Sequence, residues 1–135
     1  MFINPPSDGR HINMTSIYDK DVKYHFTRNK KNEFFIVLDS PFLFCADDCV
    51  YIVETGYTSD GMSVPHCLWS VISPPYNPVT LFPSIAHDWL YDNHVMTRKE
   101  ADIWYRDALI LNGYPKWKAR LVYRVVQRFG QSHWG

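Results

Sequence analysis

The sequence predicts an α+β fold in which an N-terminal antiparallel β-sheet is followed by three C-terminal helices. The first sixty residues contain short runs of β-branched and aromatic residues separated by turn residues, as in antiparallel strands. From about residue 83 onward, apolar residues instead recur at the spacing of an α-helix. Strands first and helices last is the order of an α+β domain, and 135 residues, 46% of them hydrophobic, suffice for one core.

The N-terminal half begins with an arm and continues with strands. Residues 1–15 are rich in Pro, Asn, Ser and Gly, which predicts an extended arm in front of a single domain over residues 16–135. Val22, Tyr24 and Phe26 alternate with polar residues, as in a strand that is buried on one face. Three further strand runs follow, EFFIVLD, FLFC and CVYIVETGY, which begin at residues 33, 42 and 49.

The first helix is predicted from Pro83 to about Asn93, inside the stretch PSIAHDWLYDNHV. Its apolar stripe, which should face the core, consists of Phe82, Ile85, Ala86, Trp89 and Leu90. The opposite side carries His87, Asp88, Tyr91 and His94. That side either faces solvent or closes on a polar pocket. The pocket is favoured because Lys, Glu and Arg, which usually fill exposed faces, are absent, and because His, Asp and Tyr suit proton transfer or metal binding.

The second helix opens with a capping box, in which Thr97 is the N-cap and Glu100 follows three residues later. It ends at Gly113, a residue type favoured just after a helix. The main apolar stripe consists of Ala101, Trp104, Tyr105, Ala108 and Leu111. Asp102 borders this stripe, so its carboxylate needs a partner. That partner is either an arginine four residues away, Arg98 or Arg106, or His87 of the first helix.

The third helix is predicted from Pro115 to about Phe129, and Gly130 ends it. Its buried side should contain Leu121, Val122, Val125, Val126 and Phe129. The other side is a cationic stripe of Lys116, Arg120, Arg124 and Arg128. Such a stripe is either solvated or binds an acidic protein surface. Nucleic acid is disfavoured as the partner because no known binding motif is present.

Charge is segregated along the chain although the formal net charge is zero. Residues 32–97 contain eight acidic residues and no Lys or Arg, whereas residues 114–135 contain five Lys or Arg and no acid. An anionic region can attract a divalent metal ion or a basic protein surface. A cationic region can bind a phosphate, an acidic protein surface or the anionic region of another copy. The two regions therefore predict a contact with a charged neighbour or with another copy of the chain.

The three cysteines, Cys45, Cys49 and Cys67, are an odd number, which argues against a closed disulfide framework. We expect reduced structural thiols. The open alternatives are that Cys45 and Cys49, which flank a predicted hairpin loop, face each other or share a metal ion with Cys67. The chain has no apolar run of about 20 residues and no secretory signal, so synthesis as a soluble cytoplasmic protein is expected.

A second polar cluster lies in the stretch SDGMSVPH, which begins at Ser59. Asp60 precedes a glycine, where Asp commonly caps a tight turn, and it is also the better candidate to meet His87. Asp88 is a poorer candidate to orient His87, since it is the next residue of the same helix and adjacent helical side chains point about 100° apart. Ser63 is disfavoured as a nucleophile because the G-x-S-x-G elbow of hydrolases is absent.

The motifs TSDGMSVPHCLW, AHDWLY, TRKEAD and GYPKWKARLVYRVVQRFG, taken in order, resemble those of the domain-of-unknown-function 1353 family. The resemblance covers about residues 50–130 and implies an origin in a tailed bacteriophage or prophage. This sequence departs from the family pattern at Met62, where Ala is usual, and at His66, where a basic residue is usual. The polar signature of the family falls on Asp60, Ser63, His87, Asp88 and Asp102.

Two functions fit these observations. The favoured one is a non-enzymatic phage protein, either a virion or tail-associated component or a host-interaction factor, made in the host cytoplasm. Its partners would be other virion proteins or copies of itself. Its polar cluster would be structural and consist of Asp60, Ser63, His87, Asp88, Tyr91 and Asp102.

The alternative function is a small hydrolase that acts on a cell-envelope or phosphoester substrate. Its candidate catalytic residues are His87, Asp88, Asp60 and Asp102. A divalent metal ion would lower the pKa of a bound water molecule, and its candidate ligands are His87, Asp88 and Asp102.

Overall fold

A computed structural model of the chain describes residues 2–3, 22–60 and 78–134, and its elements confirm the α+β fold class. The chain divides into two compact units, Met1–Ser59 and Asp60–Gly135. The described part of the first unit contains the strands β1 (Phe2–Ile3), β2 (Tyr24–Arg28), β3 (Phe34–Leu38), β4 (Phe42–Ala46), β5 (Cys49–Val53) and β6 (Thr58–Ser59). The described part of the second unit contains the helices α1 (Pro78–Asn93), α2 (Arg98–Leu111), α3 (Lys116–Phe129) and α4 (Gln131–Trp134). Residues 4–21, which include most of the predicted arm, lie outside the described residues.

The strands described in the N-terminal unit form two three-stranded antiparallel sheets, with strand orders β1-β5-β4 and β2-β3-β6. The predicted hairpin between β4 and β5 is present. Asp47 and Asp48 form its turn with φ angles of 52° and 61°, a left-handed conformation that Asp tolerates better than most residues. Apolar side chains of β3, β4 and β5 form the core of this unit, among them Ile36, Leu38, Phe42, Phe44 and Val53.

The strand β2 is more exposed than its alternating pattern predicts. Val22, just before the strand, is buried, but Tyr24 and Phe26 are 37% and 45% exposed. Within residues 22–60 and 78–134, β2 pairs with β3 alone and lies at the edge of its sheet, so fewer of the described residues cover its side chains. Its rings instead pack edge to face, with centroid distances of 5.8 Å between Tyr24 and Phe26 and 6.3 Å between Phe26 and Phe34.

The helix α1 begins at Pro78, five residues before the predicted start at Pro83. Proline is usual in the first turn of a helix, which made Pro83 the expected start, but here it lies inside the helix. Pro83 has no backbone N–H to donate to the carbonyl of Val79, four residues earlier. The side-chain amide of Asn112, at the end of α2, donates to that carbonyl instead, at 2.5 Å. A contact between two helices thus makes the interior proline tolerable.

The helix α2 confirms the predicted caps. The backbone N–H of Glu100 donates to the Thr97 hydroxyl, and the backbone N–H of Thr97 donates to the Glu100 carboxylate, both at 3.2 Å. Gly113 adopts a φ of +97° just after the helix, a conformation that costs little only for glycine. The predicted stripe is wrong at Leu111, which is 45% exposed because it lies in the last turn, and Leu109 is buried instead.

The helix α3 is flanked by Pro115 and Gly130, as predicted. Its buried side chains are Ala119, Val122 and Val125. Phe129 was expected in the core but is 56% exposed, because the helix ends there and the chain continues into the short helix α4. None of the helices in the described parts of the chain is both long enough and apolar enough to cross a membrane.

The capping box makes a direct prediction about stability. Thr97→Ala should lower the free energy of unfolding by about 1 kcal/mol, because it leaves the N–H of Glu100 without its acceptor. Glu100→Gln should be close to neutral, because glutamine also serves in a capping box. Urea denaturation of both variants measures the difference. A large loss for Glu100→Gln would show that this carboxylate has another role.

Candidate functional site

The centre of the candidate site is a hydrogen bond between His87 of α1 and Asp102 of α2. The Nε2 atom of His87 lies 2.9 Å from Oδ1 of Asp102. An ionised carboxylate can only accept, so the imidazole donates from Nε2. The two residues are 6% and 1% exposed, which places the pair in the interior of the helical unit. Asp102 therefore bonds to His87, whereas Arg106, one of the other predicted partners, bonds to Asp107.

Tyr91 supplies a second donor to the same carboxylate oxygen. It follows His87 by four residues, so the two side chains share one face of α1. The Tyr91 hydroxyl donates to Oδ1 of Asp102 at 2.5 Å, and the residue is 4% exposed. His87 and Tyr91, two residues of the predicted polar side of α1, thus face a neighbouring helix instead of solvent. His87, Tyr91 and Asp102 are called the internal cluster below.

Aromatic rings hold the imidazole of His87 in place. It stacks on Tyr105 of α2, with ring centroids 4.3 Å apart and planes 17° apart, and its centroid lies 4.4 Å from that of Tyr91. The Tyr105 hydroxyl bonds to Ser84 Oγ at 2.7 Å, and Ser84 donates to the carbonyl of Thr80. Because Ser84 uses its proton on that carbonyl, Tyr105 is the donor to Ser84.

The end of α3 closes over the Tyr91 hydroxyl. A Cβ atom on Gly130 would lie 2.6 Å from that hydroxyl and 3.2 Å from Nη1 of Arg98, both closer than ordinary packing allows. The guanidinium of Arg98 also donates to the carbonyls of Val126 and Gln127, at 3.4 and 3.0 Å. Gly130 is therefore needed for close packing here. The sequence suggested only that it ends the helix, but its φ of −74° is one that any residue adopts.

Burial and neighbouring negative charges raise the pKa values of Tyr91 and Tyr105. Burial raises the pKa of Tyr91, and its hydrogen bond to the Asp102 carboxylate raises it further. Burial also raises the pKa of Tyr105, and the negative charges of Asp88 and Asp60 add to the effect. Both phenols are therefore neutral donors at neutral pH.

The structure places the other predicted site residues less centrally. Asp88 and Asp60 are half-buried, and both lie near enough for their charge to act on Tyr105. His94, predicted on the same side of α1, is exposed and lies beyond the helix with a φ of 52°, where it stacks on Trp134. Ser63 lies outside the described residues. The described part of the predicted cluster is thus His87, Tyr91 and Asp102, with two carboxylates near Tyr105.

Three residues that support the internal cluster, Ser84, Tyr105 and Gly130, were not among the predicted site residues. Ser84 precedes His87 by three residues, so it shares the His87 side of α1. A small polar residue at that position could have indicated a polar contact on this side of the helix. Tyr105 was assigned to the core stripe, which is also where it lies. Its hydroxyl contact depends on the packing of two helices and has no signal in the sequence.

The donor set of the internal cluster does not by itself make a metal site. Among the described residues, no three His, Cys, Asp or Glu side chains are placed to hold one ion. Oδ2 of Asp102 is buried and has no hydrogen-bond partner in the described part of the chain. Cys45 and Cys49 are half-buried thiols, and the described part of the chain shows no disulfide between them. Burial raises the pKa of Cys45, and Cys67 lies outside the described residues.

The predicted cationic stripe is on the surface. Lys116, Arg120, Arg124 and Arg128 are all exposed, and within residues 22–60 and 78–134 none of them forms an ion pair with an acid. Trp117, which was not predicted as part of it, is 57% exposed. Trp117 precedes Arg120 by three residues and Arg124 by seven, so it shares their side of the helix. These five residues are called the α3 face below.

The comparisons with known proteins identify the family. The model of a protein of unknown function, DUF1353, matches residues 36–126. The chain belongs to the DUF1353 family. Two relatives come from Sinorhizobium fredii (strain NBRC 101917 / NGR234): uncharacterized protein y4jT, 32% identical over 78 residues, and uncharacterized protein y4iH, 34% identical over 77 residues.

These matches cover 58% and 57% of this chain but only 23% and 32% of the relatives, so the chain matches a part of longer proteins. No solved structure matches the DUF1353 chain. The family resemblance in the sequence is thereby confirmed. The expected phage origin stays a prediction, because the matched relatives are bacterial proteins without a described function.

The buried carboxylate leads to a stability prediction with a control on the same helix. Asp102→Ala should lower the free energy of unfolding by about 3 kcal/mol, because it leaves two buried donors, from His87 and Tyr91, without an acceptor. Asp107→Ala removes a carboxylate whose side chain is 44% exposed and should cost about 0–1 kcal/mol. Urea denaturation compares the two. Equal losses would contradict the internal role of Asp102.

The raised pKa values of Tyr91 and Tyr105 predict a loss of stability at alkaline pH. In the unfolded chain a tyrosine ionises near its ordinary pKa of 10, but the folded protein resists ionisation. The stabilising contribution is therefore complete below about pH 10 and decreases as the pH rises above it. Denaturation across this range should show a shallower decrease for Tyr91→Phe. The same slope in wild type and variant would contradict the prediction.

Proposed function

We propose that this DUF1353 protein is a non-enzymatic bacteriophage component, acting in the virion or tail or in contact with the host, and that it binds an acidic protein surface. The observation that carries the proposal is the α3 face. It presents four exposed basic side chains and an exposed tryptophan, and residues 114–135 contain no acid to neutralise them. Trp and Arg are the residue types most enriched among those that dominate binding energy at protein interfaces.

The geometry of the internal cluster supports a structural role. A general base must reach the proton that it removes from a substrate. His87 is 6% exposed, donates from Nε2 to Asp102, and packs against two tyrosine rings. The contacts described for His87 join α1 to α2. The hydroxyl of Tyr91, which bonds to the same carboxylate, also lies next to Gly130 at the end of α3. Buried hydrogen bonds between helices, like those of His87 and Tyr91 to Asp102, fix how the helices pack.

The family context is consistent with a binding module. The matched parts of the rhizobial relatives are a quarter to a third of their length, so the domain occurs as one part of larger proteins. The resemblance of the motifs to phage and prophage proteins supports synthesis in a host cytoplasm and incorporation into a virion. Other virion proteins or copies of the same chain would then supply the acidic surface.

A small hydrolase is the alternative, and the pairing of His87 with Asp102 is the observation that favours it. A buried carboxylate that orients a histidine is a common arrangement for general base catalysis. Asp88 and Asp60 lie near the ring of Tyr105 on which His87 stacks. A metal-dependent reaction on a phosphoester or cell-envelope substrate would need His87 to become accessible. Elemental analysis of the purified protein, with assays on a phosphodiester and on peptidoglycan, tests this alternative.

Charge reversal on α3 tests the binding function. Arg120→Glu with Arg124→Glu should abolish association with purified phage particles without loss of folding, since both side chains are exposed. The matched control is Lys30→Glu with Lys31→Glu, which changes the net charge equally at another exposed site. The control should bind like wild type, and wild-type binding should weaken as salt is added. Co-sedimentation with the particles, followed by quantitative mass spectrometry, measures binding.

Two results would contradict the proposal. One is wild-type protein that neither accompanies the particles nor binds them at low salt. The other is turnover of a phosphodiester or of peptidoglycan that is lost in His87→Gln while the folded structure is retained, since this would establish an enzyme.

A further inference from the structure

An exposed acidic turn in the N-terminal unit has the chemistry that the α3 face would bind. Asp47 and Asp48 form the tip of the β4–β5 hairpin, and both side chains are exposed. Within residues 22–60 and 78–134, neither forms an ion pair with a Lys, Arg or His. The left-handed backbone at both positions turns the chain sharply. Two adjacent carboxylates therefore lie exposed at the tip of this hairpin.

The spacing of the α3 face suits two neighbouring carboxylates. Lys116, Arg120 and Arg124 follow one another at four-residue intervals, so their Cα atoms are about 6 Å apart along the helix. Adjacent residues of a turn have Cα atoms about 3.8 Å apart, and their side chains diverge further. One carboxylate can thus meet Arg120 while the next meets Arg124. Trp117 lies beside these arginines and supplies apolar contact area.

We infer that the acidic turn of one copy, Asp47 and Asp48, binds the α3 face of a second copy. The inference rests on the proposed binding function and names its partner. The same chain carries both surfaces: residues 32–97 have acids without Lys or Arg, and residues 114–135 have the reverse. A copy of the chain therefore matches the α3 face in charge without any second protein.

The contact joins two different surfaces of the chain. Two copies that exchange it reciprocally form a symmetric dimer with two equal contacts. Copies that do not exchange it leave one acidic turn and one α3 face unused in every pair, and further copies then add into a closed ring or an open chain. Because its charged groups are exposed, the contact should be weak at high salt and favoured at high local concentration.

Two variants that each lack one surface test the inference. Asp47→Asn with Asp48→Asn removes the acidic charges, and asparagine also tolerates the left-handed backbone. Arg120→Glu with Arg124→Glu reverses the α3 face. Light scattering and sedimentation velocity at low salt should show association of the wild type. Each variant alone should have a dissociation constant raised by about tenfold or more. Lys30→Glu with Lys31→Glu should associate like the wild type.

Mixing the two variants gives the most specific result. The first variant keeps an intact α3 face and the second keeps an intact acidic turn, so together they can form one contact. A mixture should form a 1:1 dimer through one contact and should not grow. The wild type should associate more strongly, either through two contacts in a symmetric dimer or by growth beyond a dimer. Trp117→Ala should weaken wild-type association while leaving its dependence on salt nearly unchanged, because it removes no charge.

The inference is overturned if the mixture stays monomeric while the wild type associates, or if the Lys30 and Lys31 control loses association equally. It is also overturned if the wild type is monomeric at all salt concentrations. In that last case the proposed function is judged separately by binding to phage particles. Loss of particle binding in the Arg120 and Arg124 variant alone would still support an acidic partner other than a second copy.

Discussion

The buried carboxylate of Asp102 is the constraint on which the helical unit depends. A charge that is 1% exposed must be compensated by hydrogen bonds, and the donors come from His87 and Tyr91 on another helix. The packing of α1 against α2 supplies both donors to Oδ1 of Asp102, and a shift of either helix would remove them. Gly130 extends the constraint to α3, because a side chain there would collide with the Tyr91 hydroxyl. One polar contact thus selects a single arrangement of three helices.

Polar residues have two different roles in this domain. Inside the helical unit, His, Asp and Tyr side chains make specific contacts and are shielded from solvent. On the surface, basic side chains of α3 and acidic side chains of the β4–β5 turn are exposed, and the structure shows no ion pair for either set within residues 22–60 and 78–134. Interior contacts determine the fold, and surface charge determines which neighbours can approach. A histidine–aspartate pair is therefore compatible with a protein that binds without catalysing a reaction.

Local patterns in the sequence were sufficient to predict most of the elements of the fold. The capping box at Thr97, the glycine at position 113 and the α+β order depend on neighbouring residues, and all are confirmed. The predicted start of α1 was wrong because Asn112, at the end of α2, donates the hydrogen bond to Val79 that Pro83 cannot donate. The contact between His87 and Asp102 was only one of several predicted alternatives. The sequence shows which polar residues border apolar stripes, but it does not show how the helices are rotated against each other. Phe129 was misassigned because helical periodicity does not show where packing ends.

A double-mutant cycle between His87 and Asp102 tests the central claim most directly. His87→Ala, Asp102→Ala and the double variant would be compared with wild type by equilibrium unfolding in urea. If the two side chains stabilise the fold through each other, the double variant should be about as unstable as the worse single variant, with a coupling energy of about 1–3 kcal/mol. Losses that add to within about 0.5 kcal/mol would contradict the account, because they would mean that His87 and Asp102 act independently.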